Sequence, residues 1–314
     1  AVHKDAIERQ LDALMEMGCN SIRTSHNPPC RELLELCDQK GMLVMDEAFD
    51  EWRSRSKVAS GYAFNFDDEA EKDLTALLRR DRNHPCVFLW SIGNEVPDQD
   101  STQGAATAKW LTDLCHRLDP TRLVTAGFNQ VESAMQNHLA DFVDIIGINY
   151  WQNQYEHYRQ LRPQALFIAS ETQSALSSRG VYEFPVPKSF ESAKVTESGL
   201  LDSYDMLGPA WGCIPDQQFR ALENNPWMLG EYVWTGYDYL GEPTPFYEKW
   251  PSRSSYFGIF DLAGLPKDRY YAFKVHWTNE PVLHVFPHWS WQGREGKITP
   301  VHCYTSWPQA ELYV

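Results

Sequence analysis

Two glutamates stand out because each closes an apolar run: Glu95 ends VFLWSIGNE over 87–95, and Glu171 ends LFIASE over 166–171. Such runs read as buried strands whose last residue delivers a carboxyl group to the strand's C-terminal edge. A pair of carboxyls flanking one bond is what glycoside hydrolysis requires, one protonated to assist the leaving group and one ionised to attack or to activate water. Direct attack sets the two groups about 5 to 5.5 Å apart. A strand-end glutamate taken singly is more often an ordinary salt-bridged residue, so the neighbours carry the argument. Asn94 can donate its amide to a sugar hydroxyl, and Tyr150 can donate its phenol to a carboxylate. Arg23 can pair with that carboxylate and keep it ionised. His26, followed by Asn27 and Pro28, offers a further substrate contact.

Elements must bring these groups together, and the chain alternates between two periods. A helical pattern over 3–17 places Ile7, Leu11, Leu14 and Met15 on one face and stops at Gly18. NSIRTSH at 20–26 reads as a strand, 30–40 as a helix ended by Gly41, and MLVMDEAF as the next strand. Helices near 68–82 and 103–118 frame the strand of Glu95. Further strands are RLVTAG, DIIGINY, LFIASET and MLGEYVWTGYD, the last at 228–238. Strands alternating with helices imply parallel βαβ units. In nearly every strand the polar groups follow the apolar run, as Asp46 with Glu47, Asn94 with Glu95, and Asn149 with Tyr150 do. Chemistry converging at strand C-termini marks a TIM (β/α)₈ barrel. A doubly wound sheet is the alternative, but its GxGxxG phosphate loop is absent. Seven strand candidates are present, so the first strand of the barrel is expected to precede residue 1.

From about Pro281 the texture changes to short strands, VLHVF, VHCYTSW and AELYV, with a turn at Gly293 to Gly296. This predicts a barrel over 1–280 and the beginning of an immunoglobulin-like β-sandwich over 281–314. Residues 180–225 lack clear periodicity and are expected to form loops at the active-site face.

A formal charge of −15 argues against nucleic acid, which needs clustered Lys and Arg. No apolar run is long enough to span a bilayer, so no membrane partner is expected. Aromatic residues make up 13%, with twelve Trp, and such rings suit both a dense core and stacking on sugars. The seven cysteines form no CxxC pair and are read as mostly buried free thiols, with one disulfide left open. Self-association into a homo-oligomer also stays open. A periplasmic or extracellular setting is expected in preference to the cytoplasm.

RTSHNPP at 23–29, VMDEAFDEW at 44–52, WSIGNE at 90–95, SETQSALSSRG at 170–180 and EYVWTGYDYLGEPTP at 231–245 together resemble glycoside hydrolase family 2. This is the family of β-galactosidases, β-glucuronidases and β-mannosidases, and the resemblance covers nearly the whole chain in order. It implies a retaining mechanism with Glu95 as general acid/base and Glu171 as nucleophile, and no cofactor. It implies a sugar pocket lined by Arg23, His26, Asn94, Tyr150 and Trp234, with Trp234 as the aromatic platform. Asp46, Glu47, Asp238 and Glu242 are implied either to orient pocket residues or to touch sugar. It further implies domains ahead of the barrel, so the chain is read as a fragment that is inactive by itself.

Large β-galactosidases of the family place a histidine after the Asp-Glu of the third strand, where this sequence has AFDEWRS, with Trp52 and Arg53. Glucuronidases carry an Asn-x-Lys motif after the Trp strand, and none lies between Trp234 and the end of the predicted barrel. The resemblance thus favours a β-galactoside over a glucuronide, with a mannoside third. Two readings of other classes stand beside it. His26, Asp46, Glu47 and Glu95 could ligate a metal at the barrel mouth, although the expected chemistry asks for no metal, or the aromatics could serve a non-catalytic sugar-binding protein.

Overall fold

The computed structural model describes residues 2–313 apart from 56, 58, 195 and 249–252. By contact density the chain forms two compact units. The first comprises Ala1–Asp12, Asn20–Glu171 and Ala221–Tyr232, and the second Ala13–Cys19, Thr172–Arg220 and Val233–Val314.

The first unit carries the parallel sheet of a TIM barrel. Its strands are β1 (Ser21–Arg23), β2 (Leu43–Glu47), β3 (Val87–Asn94), β4 (Leu123–Phe128), β5 (Ile145–Asn149) and β6 (Leu166–Gln173). They pair in sequence order, and a strand at Glu231–Trp234 follows β6 as the seventh. All seven predicted strands are present. Helices α1 (Lys4–Glu16), α2 (Arg31–Lys40), α3 (Phe66–Asp81) and α4 (Thr102–Leu118) fall where the period predicted them. Gly41 closes α2 in the left-handed conformation at φ 74°, its N–H donating to the Cys37 carbonyl. Ser101 caps α4 by accepting from Gly104 N–H. Two short helices, α5 (Val131–Gln136) and α6 (Tyr155–Leu161), were not foreseen, being too short to show a helical period.

Met45, Leu89, Ile145, Ile168 and Tyr232 form one buried cluster, the layer of inward side chains that fills a barrel. The Ser21 hydroxyl and the Tyr232 phenol meet at 2.6 Å, linking the first and last strands of the sheet through side chains. The register shifts between Ser91 and Asn94 in the β3–β4 pair and between Gly147 and Asn149 in the β5–β6 pair. Such irregularities re-aim side chains at a strand's end.

The second unit holds the long segment expected to be aperiodic loop. That segment contains the two-residue strands β7 (Glu191–Ser192) and β8 (Leu207–Gly208), and also a full helix, α7 (Pro215–Asn224), of which Pro215–Arg220 belong to this unit. The strand Glu231–Trp234 is β9, followed by α8 (Arg269–Trp277), β10 (Leu283–Phe286) and β11 (His302–Thr305). Two buried clusters stabilise this unit. One is centred on Phe219, Ile259, Phe260, Tyr270 and Phe273, the other on Leu176, Leu201, Phe246, Tyr256 and Phe257. The strands β10 and β11 pair antiparallel with Phe286 opposite His302. The expected strand AELYV does not form over 310–313, and Val314 lies outside the described residues. All seven cysteines are free thiols, four of them buried. No helix among the described residues is long and apolar enough to cross a membrane.

Candidate active site

The C-terminal ends of β1, β3, β4, β5 and β6 converge on one hydrogen-bonded cluster. Arg23 occupies its centre. Its Nη1 donates to Glu171 Oε2 at 2.8 Å and to the Ser170 carbonyl at 2.9 Å. Its Nε and Nη2 grip Glu47 at 2.9 and 3.0 Å, and Nη2 also donates to Asn94 Oδ1 at 2.6 Å. Glu47 is fully buried and additionally accepts from the Ser91 hydroxyl at 2.6 Å. Burial alone would raise its pKa, but the Arg23 charge and His26 hold it below the usual carboxylate range.

His26 Nδ1 lies 2.7 Å from Glu47 Oε1, so this nitrogen carries the proton and donates. Its Nε2 lies 3.3 Å from Asn94 Nδ2. Asn94 in turn accepts from Asn149 Nδ2 at 2.9 Å, and Ser170 fixes Asn149 by donating to its Oδ1 at 2.7 Å. This network closes over Gly127. A Cβ there would lie 2.8 Å from Asn149 Oδ1 and 3.2 Å from Asn94 Oδ1, so the close approach requires glycine.

The two glutamates sit in contrasting surroundings. Glu171 accepts from Arg23 and from the Tyr150 phenol. Glu95 accepts only side-chain amides, Asn149 Nδ2 on Oε1 at 3.0 Å and Asn129 Nδ2 on Oε2 at 3.1 Å. Burial and the negative charge of Glu171 raise its pKa, while Asn149, Lys57 and His26 pull it partly back. Lys57 is held at this edge by the Asp50 carboxylate at 2.6 Å and the Asn94 carbonyl at 2.9 Å. Glu95, Tyr150 and Trp151 all have positive φ, at 44°, 65° and 52°. Left-handed backbone in residues other than glycine is strained, and such strain gathers at functional sites.

The structure therefore brings Arg23, His26, Asn94, Glu95, Tyr150 and Glu171 together, and adds Glu47 as the residue that orients Arg23 and His26. Asp46 is a correction. Adjacent strand residues face opposite ways, so with Glu47 turned to the cluster Asp46 points away, fully buried toward Asp81 and Arg80 of α3. Burial and the Asp81 charge push its pKa up to about 9. It cannot touch sugar, and the metal set of His26, Asp46, Glu47 and Glu95 is not assembled. Among the described residues, the one group of three ligand-type side chains within reach of an ion is Asp38, His84 and Cys86, near the N-terminal end of β3. There Asp38 accepts from Cys86 N–H at 2.9 Å and pairs with His84 at 2.6 Å. Trp52 is buried with its indole N–H on the Ile92 carbonyl, and Arg53 reaches Asp67 of α3, so neither is a sugar contact. A cavity of about 430 Å³ lined by Asn27, Ala48, Phe49, Tyr62, Asp73 and Arg80 contains no member of the catalytic cluster in its wall.

In the second unit, Trp234 is half-buried beside the Leu176–Phe257 cluster, edge-on to Tyr239 at 5.8 Å. Asp238 is occupied internally. It pairs with the buried Lys267 at 2.8 Å and accepts from Gly258 N–H at 2.7 Å. Glu242 accepts from Thr244 N–H at 2.8 Å and shapes its own loop.

Asn129, Asn149 and Lys57 are the site residues that sequence reasoning did not single out for roles. Asn149 was visible as a strand-end polar residue. Asn129 directly follows β4 and was within reach of the same strand-end rule, whereas Lys57 stands in a polar segment with no apolar run to mark where it lies.

A parallel barrel with paired strand-end carboxyls in unlike settings is compatible with glycosidase chemistry, and residues 1–205 match the TIM barrel domain of glycosyl hydrolases family 2. The chain belongs to that family. It is 42% identical to β-galactosidase BoGH2A of Bacteroides ovatus, over 100% of this chain and 41% of that protein. With the β-glucuronidase of Rattus norvegicus it shares 29% identity over 76% of this chain and 36% of that one. The crystal structure of a β-glycosidase from Bacteroides vulgatus superposes with a TM-score of 0.82 at 35% identity, covering 98% of this chain and 40% of that one. The chain thus spans about two fifths of the length of these relatives.

Proposed function

We propose that this barrel is the catalytic domain of a retaining β-glycosidase acting on terminal β-galactosides. One observation carries the mechanism: the two carboxyls have unlike partners, a guanidinium and a phenol on Glu171 and side-chain amides on Glu95. Glu171, with Arg23 and Tyr150 donating to it, is prepared to attack the anomeric carbon. Glu95, raised by burial and by Glu171, holds a proton for the departing oxygen. As that proton leaves, the Asn149 and Asn129 amides stabilise the new carboxylate, which then takes a proton from the water that resolves the glycosyl-enzyme. The Asn94 amide, whose Nδ2 stands 3.3 Å from His26 Nε2, offers an N–H to a sugar hydroxyl.

The choice of galactoside rests on the 42% identity to a β-galactosidase and on the absence of Asn-x-Lys between Trp234 and residue 280. The identity to a β-glucuronidase supports glucuronide as the second reading. The test is release of nitrophenol from aryl β-galactoside, β-glucuronide and β-mannoside by the full-length protein in parallel. The galactoside is expected to have the highest kcat/KM. A higher value for either rival overturns the sugar assignment, and no release from any of them overturns the activity.

A further inference from the structure

The acid/base side of the cluster carries an aromatic ring that the proposed chemistry does not use. Trp151 follows the end of β5, directly after the Tyr150 that donates to Glu171. Its side chain is 48% exposed, far more than a tryptophan serving the core. The ring is nevertheless held in place. Its indole N–H donates to the Asn129 carbonyl at 2.6 Å, and the Asn129 side chain donates to Glu95 Oε2. Both Tyr150 and Trp151 are in left-handed backbone, at φ 65° and 52°. A bulky residue tolerates that conformation only where the surrounding structure imposes it.

In a retaining mechanism the leaving group departs past the general acid, so the part of the substrate beyond the scissile bond stands against Glu95. An exposed indole tied through one residue to Glu95 offers a fixed apolar face beside that position. The apolar face of a pyranose, or an aryl ring, is what such a surface binds.

Resting on the glycosidase reading above, we propose that Trp151 is the platform for the leaving-group ring, and that the natural substrate is a glycoside whose aglycone is itself a ring, most simply a second sugar. The ring adds binding energy on the leaving side, and its tie to Asn129 keeps that ring in register with the proton of Glu95.

The experiment compares two substrates sharing the non-reducing sugar the full-length enzyme accepts: the methyl glycoside and a β-linked disaccharide. Both leaving groups need protonation, and only the second carries a ring. Trp151→Asn is the informative variant, because Asn enters left-handed backbone more readily than other side chains and removes the ring. It should lower kcat/KM for the disaccharide about tenfold relative to the methyl glycoside. Trp151→Tyr, which keeps a ring, should restore most of the difference. Equal losses on both substrates would show that Trp151 acts through Glu95, and no loss on either would show that the ring is idle; both results overturn the platform. If wild-type enzyme turns over no methyl or aryl glycoside, the glycosidase reading fails first and the platform with it.

Discussion

Arg23 Nη1 stands 2.8 Å from Glu171 Oε2, although their strands, β1 and β6, are not neighbours in the sheet order. Only inward-facing positions of a curved parallel sheet can meet in this way, and the same guanidinium also binds Glu47 and Asn94. One cation thus holds the Glu171 carboxylate in place.

The roles of the two glutamates separate by the products of azide rescue. Glu171→Ala should reduce turnover below detection for every leaving group, and azide entering the emptied face should yield an α-glycosyl azide. Glu95→Ala should cost about 10²- to 10⁴-fold with alkyl leaving groups and far less with activated aryl ones. With an activated substrate, azide should speed that variant and give the β-azide. Product stereochemistry by NMR checks the assignment, and the reverse pattern would exchange the two roles.

Lys57 should set the pH profile from the edge of the cluster. In the proposed mechanism Glu95 must be protonated in the free enzyme, so kcat/KM should fall as pH rises through its pKa. The Lys57 charge draws that pKa down against burial and Glu171. Lys57→Met should therefore move the basic limb upward by roughly half a pH unit. If the lysine only braces the Asn94 carbonyl, the rate will drop and the limb will stay where it is.

Asp46 should be replaceable with a gain in stability. Folded, it holds its proton up to about pH 9, whereas an unfolded aspartate ionises near its ordinary value of 3.8. Between those limits folding takes up a proton, so this residue subtracts more stability as pH rises across that window. Asp46→Asn removes the dependence. Thermal melts of variant and wild type should nearly coincide at pH 4 to 5 and diverge toward pH 8, with the variant higher by about 3 to 5 °C. A lower Tm at pH 8 would contradict the protonated state.

Asp238 should matter for folding rather than for sugar. Removing it leaves the Lys267 ammonium, itself 1% exposed, without its carboxylate. Asp238→Asn should cost about 3 kcal/mol or more. Chemical denaturation measures this, and an intact variant should keep its KM. Raised KM with unchanged stability would return Asp238 to the sugar pocket.

The sequence was legible where buried parallel strands write themselves as apolar runs with a polar residue at the end. That rule located Arg23, Asn94, Glu95, Tyr150 and Glu171. It could not sort Asp46 from Glu47, because a strand buried on both faces shows no alternation to say which residue turns inward. Asn129 obeys the same rule, standing directly after β4, and is missed because the predicted strand ends at Gly127, two residues before it. The helix α7 was hidden for another reason. It lies in a stretch whose flanking Pro, Gly and Ser residues read as loop.

The left-handed backbone at Glu95, Tyr150 and Trp151 also bears on how this barrel can be engineered. Glycine or asparagine at such positions is the standard route to a more heat-resistant scaffold, each relieved residue contributing on the order of 1 kcal/mol. Here the three sites are the proposed acid, the partner of the proposed nucleophile and the exposed ring, so on the proposed mechanism every gain in robustness taken there would be a loss of turnover or of substrate choice. Thermostabilised versions are better sought at the helix termini and at Asp46, and a screen scored on melting temperature alone would drift toward a sturdy, idle barrel.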